Sequence, residues 1–123
     1  MEGRKPTAYQ TGVAGEALAE AFLVQKGMRL LYRRYRCSYG EADLVMMDGD
    51  MLVFVEVKAR PNGDDELAQV AVNRKKQTRL TRTALYFLSD HPEKQDCIVR
   101  FDVVTVTKAG IHHLPNAFEA AEI

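Results

Sequence analysis

The sequence places two carboxylates and a lysine where two short strands are expected to meet. Glu56 and Lys58 close an apolar strand that starts at Met51, and Asp43 lies on the strand before it. A charge taken out of water costs several kcal/mol or shifts its pKa until the group is neutral. Acids at the buried end of a hairpin are therefore candidates for holding a divalent cation, with the lysine as a cationic helper.

The turn between the two strands decides how these side chains meet. Side chains alternate between the faces of a strand, which assigns Asp43 and Val45 to one face. If the central turn residues are Gly49-Asp50, Asp43 lies directly opposite Glu56. If they are Asp48-Gly49, Asp43 lies diagonal to Glu56 on the same face, and both dipeptides suit hairpin turns. A three-residue loop with a bulge would weaken the grouping, because an odd offset flips the face.

Length and composition limit the class of protein. The chain has 123 residues, which fits a single domain spanning residues 1–123, and 46% of them are hydrophobic, as in ordinary soluble proteins. No apolar run approaches the length of a membrane span, and the first residues lack an apolar signal region, so we expect a cytoplasmic protein without membrane contact. Cys37 and Cys97 are isolated and are expected to be reduced. Zero net charge does not by itself indicate a nucleic-acid binder.

Hydrophobic periodicity predicts one order of elements, and it positions the acids. The predicted segments are a helix over 7–26 with Gly27 as its C-cap, strands over 29–36, 41–47 and 51–58, a loop over 61–65, a helix from 67 or 68 to 89, and strands over 98–107 and 111–114.

Basic residues cluster in the second predicted helix. Lys75, Arg79 and Arg82 follow the spacing i, i+4, i+7 and share one helix face, with Lys76 beside them. Such a stripe is usually solvated, but next to a phosphodiester site it would contact a DNA backbone. Arg60, two residues beyond Lys58, could clamp a phosphate.

The order α-β-β-β-α-β resembles the core of the restriction-endonuclease-like nucleases. Asp43, twelve intervening residues and then Glu56-x-Lys58 resemble their PD-(D/E)xK active site. Glu16, on the preceding helix, is similar to an acid of archaeal Holliday-junction resolvases. The closest resemblance is to the YraN-like family of small bacterial proteins, carried by segments at 15–16, 40–44, 54–60, Lys75 or Lys76, 100–104 and 116–118.

The resemblance implies an α/β, three-layer fold with a mixed central sheet flanked by helices, and it implies the chemistry. Asp43 and Glu56 would each give an oxygen to Mg²⁺ or Mn²⁺, and the Val57 backbone carbonyl would be a further ligand. Glu16 would bind the metal directly or hold a water on it. Lys58 would orient the attacking water and offset charge on the phosphate.

The implied function is a metal-dependent endonuclease acting on DNA, double-stranded or branched, and the two-fold dimers of the resolvases suggest a homodimer. A second class is a nucleic-acid-binding module on the same fold, with catalysis that is weak or needs a partner. A third is a scaffold in which the ion cluster serves stability alone.

For individual residues, a purely structural role is the alternative to a functional one. Glu56 and Lys58 could be a plain ion pair of a strand end, and Asp43 could cap a turn. Glu41 could support the site or pair with an arginine of the strand before it. Asp102 is expected to be structural. The neighbouring histidines 112 and 113 point to opposite faces and would chelate poorly, and tyrosines 32, 35 and 39 could stack bases but are expected to pack in a core or interface.

Overall fold

The computed structural model describes residues 8–60 and 72–122, with side chains from residue 11 onward in the first helix. Its elements are α1 (Ala8–Gln25), β1 (Arg29–Cys37), β2 (Gly40–Asp48), β3 (Met51–Arg60), α2 (Arg74–Asp90), a short 3-10 turn (Pro92–Lys94), β4 (Ile98–Thr107) and β5 (Gly110–Phe118). The order α-β-β-β-α-β is confirmed, and β5 extends it.

One mixed five-stranded sheet, in the order β1-β2-β3-β4-β5, forms the middle layer. β3 and β4 are parallel and are connected through α2, whereas the other neighbours are antiparallel. Alternate residues of β3 serve the two faces: Leu52 and Phe54 pack with α2, and Val53 and Val55 pack with α1. The α/β three-layer arrangement is consistent with the predicted restriction-endonuclease-like fold.

The hairpin turn takes the first of the two predicted forms. Asp48 pairs with Met51, which leaves Gly49 and Asp50 as the central residues. Gly49 has φ 61°, a backbone conformation that favours glycine at the first central position of such turns. Leu44 and Val55 are the last paired residues of this hairpin. Continued by one residue, the same register puts Asp43 opposite Glu56.

The helix boundaries confirm one prediction and correct another. Gly27 caps α1 as predicted: its N–H donates to the Val24 carbonyl (2.9 Å), and the N–H of Met28 donates to the Leu23 carbonyl (3.1 Å). The second helix was predicted from residue 67 or 68, yet residues 72 and 73 are not helical and α2 begins at Arg74. Asn73 is the reason, because its side-chain oxygen accepts the Lys76 N–H (2.9 Å) and caps the helix there.

Several predicted segments lie partly or wholly outside the described residues. These are the first residue of the first helix, the loop over 61–65 and the stretch 67–71. Cys37 and Cys97 are free thiols, as predicted. Over the described ranges, no helix has both the length and the apolar character needed to cross a membrane.

Candidate active site

β2 and β3 separate at the end of the hairpin where the two acids lie. Beyond Leu44 and Val55 the ladder is replaced by a side chain: Oδ2 of Asp43 accepts a hydrogen bond from the backbone N–H of Val57 at 2.7 Å. The Asp43 carboxylate therefore occupies the fork between the strands, next to the carboxylate of Glu56 on β3.

Strict alternation along β2 fails close to this fork. Ala42 packs in the α2 core together with Val45, although residues three apart face opposite sides of a regular strand. The neighbouring β1 is also irregular, with a register shift between Leu30 and Tyr32 and a positive φ of 52° at Arg34. The irregularity lies between Ala42 and Val45, and the predicted sharing of one face by Asp43 and Val45 stays a prediction. Asp43 and Glu56 are neighbours all the same, because the charge of Glu56 acts on Asp43.

Asp43 is a partly buried acid in an acidic environment. Burial raises its pKa first, and the nearby charge of Glu56 raises it next; the Val57 N–H lowers it, and Glu16 and Glu41 raise it further. The net result is a pKa raised to about 7. A carboxyl held this far from its ordinary range marks a site where the protein keeps negative charges together.

Glu56 takes its cation from α2, not from its own strand. Nζ of Lys76 lies 2.7 Å from Oε1 of the buried Glu56. Burial acts to lower the pKa of Lys76, but the hydrogen bond and charge of Glu56 raise it overall. Burial lowers the pKa of Lys58, and contact with Lys76 lowers it further. The plain Glu56–Lys58 ion pair is thus replaced by a cluster in which two lysines meet two acids.

Glu16 reaches the same end of the sheet from α1. Gly15 lies so close to β3 that a Cβ built on it would be 2.7 Å from Cβ of Ala59. This close approach brings Glu16 within electrostatic range of Asp43. Glu16 forms an ion pair with Arg34, with Nε–Oε1 2.8 Å and Nη2–Oε2 3.4 Å. Sequence reasoning missed both Arg34 and the pairing of Lys76.

The three carboxylates of this cluster suit a hard divalent cation, although basic side chains are paired with two of them. Carboxylates of Asp43, Glu56 and Glu16 are the oxygen ligands that Mg²⁺ and Mn²⁺ prefer. Among the described residues, no three His, Cys, Asp or Glu side chains converge closely enough to hold an ion. Two of the three acids are instead paired with Lys76 and Arg34, so a cation would replace those contacts. The repulsion that raises the pKa of Asp43 is what such a cation would relieve.

Four of the five basic residues predicted to bind nucleic acid lie on the surface, and the fifth, Lys76, is instead paired with Glu56. Lys75, Arg79 and Arg82 are exposed along α2, and the salt bridges found among the described residues do not involve them. Arg60 is exposed at the end of β3, where Nη1 donates to the Ala59 carbonyl at 3.2 Å. Among the described residues these four side chains have no acidic partner, so they could contact an external anion.

Comparison with known proteins identifies the family. The family model described as "Uncharacterised protein family UPF0102" matches residues 15–106. The chain belongs to the UPF0102 family. It is 44% identical over 115 residues to a UPF0102 protein of Rhodopseudomonas palustris (strain BisB18), covering 93% of this chain and 84% of the relative. It is 42% identical over 115 residues to one of Nitrobacter winogradskyi, covering 93% and 96%.

A UPF0102 protein of Synechococcus sp. (strain JA-3-3Ab) is 42% identical over 126 residues, covering 94% of this chain and 95% of the relative. The resemblance to the YraN-like family is thereby confirmed. The segment that matches the UPF0102 model contains every residue of the cluster described above.

A second buried acid of this UPF0102 chain is structural, as predicted. Asp102 accepts from Nε and Nη2 of Arg100 (both 2.8 Å), from Nε2 of His113 (2.7 Å) and from the Asn116 backbone N–H (2.9 Å). Burial acts to raise the pKa of Asp102, but these hydrogen bonds lower it overall. Because Nδ1 of His113 accepts from Lys26 (3.0 Å), the histidine donates through Nε2 and is committed to this network.

The other side chains that the sequence left with two interpretations are Glu41 and the tyrosines. Glu41 pairs with Arg36 of the preceding strand (3.3 Å), one of the two interpretations left open. Tyr32 and Tyr35 pack edge-on against Phe87, with ring centroids 5.7 and 5.1 Å away, and Tyr35 packs against the core as expected. Tyr32 is 42% exposed and Tyr39 51%, so neither of them lies in the core. Burial raises the pKa of the Tyr35 hydroxyl to about 12.

Proposed function

We propose that this protein is a divalent-metal-dependent DNA endonuclease of the PD-(D/E)xK type, hydrolysing phosphodiester bonds of double-stranded or branched DNA. The observation that carries the proposal is the fork between β2 and β3. There the partly buried Asp43 lies beside Glu56 and forms no salt bridge within the described residues, and Lys58 lies two residues further along β3. A cluster kept only for stability would pair both acids.

Each residue of the cluster has a distinct role in this proposal. Asp43 and Glu56 hold the cation, with Glu16 as a third oxygen donor and the Val57 carbonyl as a fourth. A bound Mg²⁺ or Mn²⁺ would offset phosphate charge and favour attack by water. The Lys58 ammonium orients the water and meets the charge that develops on the phosphate oxygens.

The proposed DNA path follows the cations that have no salt bridge to another described residue. Lys76 holds α2 against Glu56, so that the exposed stripe of Lys75, Arg79 and Arg82 starts beside the acids. Arg60 extends the positive surface from the end of β3. Contacts from these side chains to phosphates would position a duplex over the fork without reading its sequence.

A homodimer is part of the proposal, because cutting both strands of a symmetric branch needs two sites related by a two-fold axis. The exposed face of α1 supports a second copy as its occupant. Val13, Leu18 and Val24 are exposed there, and the two acids of α1, Glu16 and Glu20, turn toward arginines of β1. Such an uncharged face can pair with itself without bringing like charges together.

A second candidate function has an observation in its favour. Glu56 is already paired with Lys76, and Glu16 with Arg34. A protein that keeps these pairs in its working state would bind nucleic acid on the same surface without cutting it, or would cut only when a partner displaces the lysine.

A cleavage panel separates the candidates. Linear, nicked, flapped and four-way DNA are incubated with Mg²⁺, with Mn²⁺ and with chelator. The nuclease cuts at least one of them only with metal, whereas the binding module shifts their mobility without cutting. A stability scaffold does neither, and that outcome would refute the proposal. Sedimentation at high concentration, with and without DNA, tests the dimer; a strict monomer in both conditions would exclude two-fold cutting.

Variants assign the roles. Asp43→Asn with Glu56→Gln should abolish Mn²⁺ binding measured by calorimetry. The matched control, Asp96→Asn with Glu93→Gln, removes the same charges from exposed positions and should bind as the wild type does. Equal binding by both double variants would refute the metal site.

Lys58→Ala should keep metal binding and lower cleavage by about 10²-fold or more, the size of losing one electrostatic donor. Unchanged cleavage would make Lys58 a structural residue only.

A further inference from the structure

An open groove of about 320 Å³ lies between the outer face of α2 and the turn that joins β1 to β2. Its walls are Tyr39, Arg82, Leu85, Tyr86 and Ser89. The exposed fraction is 51% for Tyr39, 50% for Leu85 and 41% for Tyr86, so that two aromatic side chains and a leucine meet water around one arginine. Exposed apolar side chains that cluster around a groove are typical of surfaces that bind a ligand or a partner molecule.

The two tyrosines of the groove differ from the other tyrosines on this face. Tyr32 and Tyr35 pack against Phe87, and the Tyr32 hydroxyl is 2.9 Å from Nε2 of His91. The ring contacts found within 8–60 and 72–122 involve neither Tyr39 nor Tyr86. Their faces are available to a ligand.

The groove continues the basic stripe away from the acids. Lys75, Arg79, Arg82 and Tyr86 follow the spacing i, i+4, i+7, i+11 and share one side of α2. No acidic residue occurs in α2 before its last position, Asp90. Lys76, which pairs with Glu56, and Tyr86 are ten positions apart in α2. This separation corresponds to about 15 Å along the helix axis.

The charge of this surface selects among occupants. A second copy seated on the groove would bring the Arg82 and Arg79 side chains of two chains together, and like charges across an interface are costly. A polyanion with flat apolar parts matches both the arginines and the rings. In a duplex the faces of each base are covered by its neighbours, whereas an unpaired base offers its face for stacking on an aromatic side chain.

We infer that this groove holds an unpaired nucleotide of the DNA substrate, with its base against Tyr39 and Tyr86 and its phosphate against Arg82. The inference rests on the DNA-binding part of the proposed function and names the substrate class: a duplex that carries a single-stranded arm. The helix length of about 15 Å corresponds to about four nucleotides at 3.4 Å each. The arm therefore begins about four nucleotides from the bond that is cut.

The test measures binding in chelator, so that cleavage plays no part. A blunt duplex is compared with the same duplex carrying a single-stranded arm that contains 2-aminopurine, whose fluorescence reports stacking. The wild type should bind the armed duplex more tightly and change the 2-aminopurine signal most at positions near the junction.

Three variants locate the effect. Tyr39→Ala with Tyr86→Ala should weaken binding of the armed duplex by about tenfold, in the range that stacking on one base contributes, and leave the blunt duplex within about twofold. Tyr39→Phe with Tyr86→Phe should bind as the wild type does, because stacking needs the ring and not the hydroxyl. Ile98→Ala, which trims an exposed side chain at the start of β4, is the control and should change neither.

The outcomes separate this inference from the function beneath it. Failure of the wild type to bind either DNA would overturn both. Equal binding of armed and blunt duplexes, or an alanine pair that keeps the preference for the arm, would overturn the inference and leave the nuclease proposal standing. An alanine pair that changes the sedimentation coefficient while keeping the preference would make the groove a contact between copies, and would also overturn it.

Discussion

Two aspartates, one buried and one partly buried, lie beside consecutive positions of β3, and their surroundings shift their pKa values in opposite directions. Asp102, on β4, lies opposite Val55 and accepts hydrogen bonds from Arg100, His113 and the backbone of Asn116. Asp43, on β2, lies next to Glu56 and has one backbone hydrogen bond, from Val57.

The pKa of the first is lowered and that of the second is raised to about 7, although both are withdrawn from water. The difference indicates that the ionised form of Asp102 stabilises the fold, whereas the ionised form of Asp43 does not. The donors around Asp102 compensate its charge. Two of them, His113 and the backbone of Asn116, belong to β5 and bind that strand to β4. Asp43 has one backbone hydrogen bond and no salt bridge among the described residues, and acids with strongly shifted pKa values are common at functional sites. The same chemical change at the two positions should therefore have opposite consequences.

The largest expected effect is that of Asp102→Asn. An asparagine would turn an amide N–H toward the donors of Arg100 and His113 and would leave the largely buried guanidinium with only the half-exposed Asp48 as its anion. Breaking such a buried pair costs about 3–5 kcal/mol, and urea unfolding measures the loss in free energy of unfolding. The exposed control Asp96→Asn should stay within about 0.5 kcal/mol of the wild type. An equally small loss at Asp102 would show that the network is dispensable.

The next effect has the opposite sign. Asp43→Asn removes a charge that Glu56 and Glu16 repel, while its side-chain oxygen can still accept the Val57 N–H. We expect a free energy of unfolding that is unchanged or higher by up to about 1 kcal/mol, together with loss of cleavage. A large destabilisation would place Asp43 in the same class as Asp102 and remove the contrast.

The pH dependence of stability gives a smaller effect with a defined sign. The pKa of Asp102 is lower in the folded chain than the ordinary value of about 3.9, so its contribution is present above that value and is lost as pH falls through the folded pKa. The stability gap between the wild type and Asp102→Asn should be constant near neutral pH and shrink below about pH 4. Unfolding curves from pH 7 to pH 3 test this, and a gap that widened on acidification would contradict it.

The smallest effect on stability is expected on the surface of α2. Changing Lys75, Arg79 and Arg82 to Gln should alter the free energy of unfolding by less than about 1 kcal/mol. It should weaken binding to blunt duplexes of every sequence alike and reduce the slope of log K against log salt by roughly 0.9 for each lost phosphate contact. The control, Arg29→Gln with Lys94→Gln, should leave the slope unchanged. An unchanged slope in the triple variant would move the DNA path to β1.

Much of the fold followed from local pattern, as did the core of the site. The apolar runs of β3 and β4 identify buried strands, and the hairpin register places Asp43 opposite Glu56. The partners of the acids did not follow. Lys76 meets Glu56 because Asn73 starts α2 late, and Arg34 meets Glu16 at a positive φ that is rare for a residue with a side chain.

The last strand was predicted too short for a related reason. Pro115 interrupts the pattern, as proline does within strands. β5 nevertheless runs to Phe118 at the edge of the sheet, and Asp102 accepts the N–H of Asn116 across a register shift in β4. Long-range hydrogen bonds of this kind have no local sequence signal.

The contact of Gly15 with Ala59 bears on the time scale of the site. Since a methyl on residue 15 would stand 2.7 Å from Cβ of Ala59, α1 packs on β3 at a distance that only glycine allows there. With α1 packed this closely, we expect Glu16 to leave Arg34 for another partner by rotating its own side chain. Such rotations belong to a much faster class of motion than hinge movements of whole elements, which take microseconds to milliseconds. The exchange of partners at Glu16 should keep pace with the arrival of ions, and relaxation of the α1 backbone should show no slow step coupled to it.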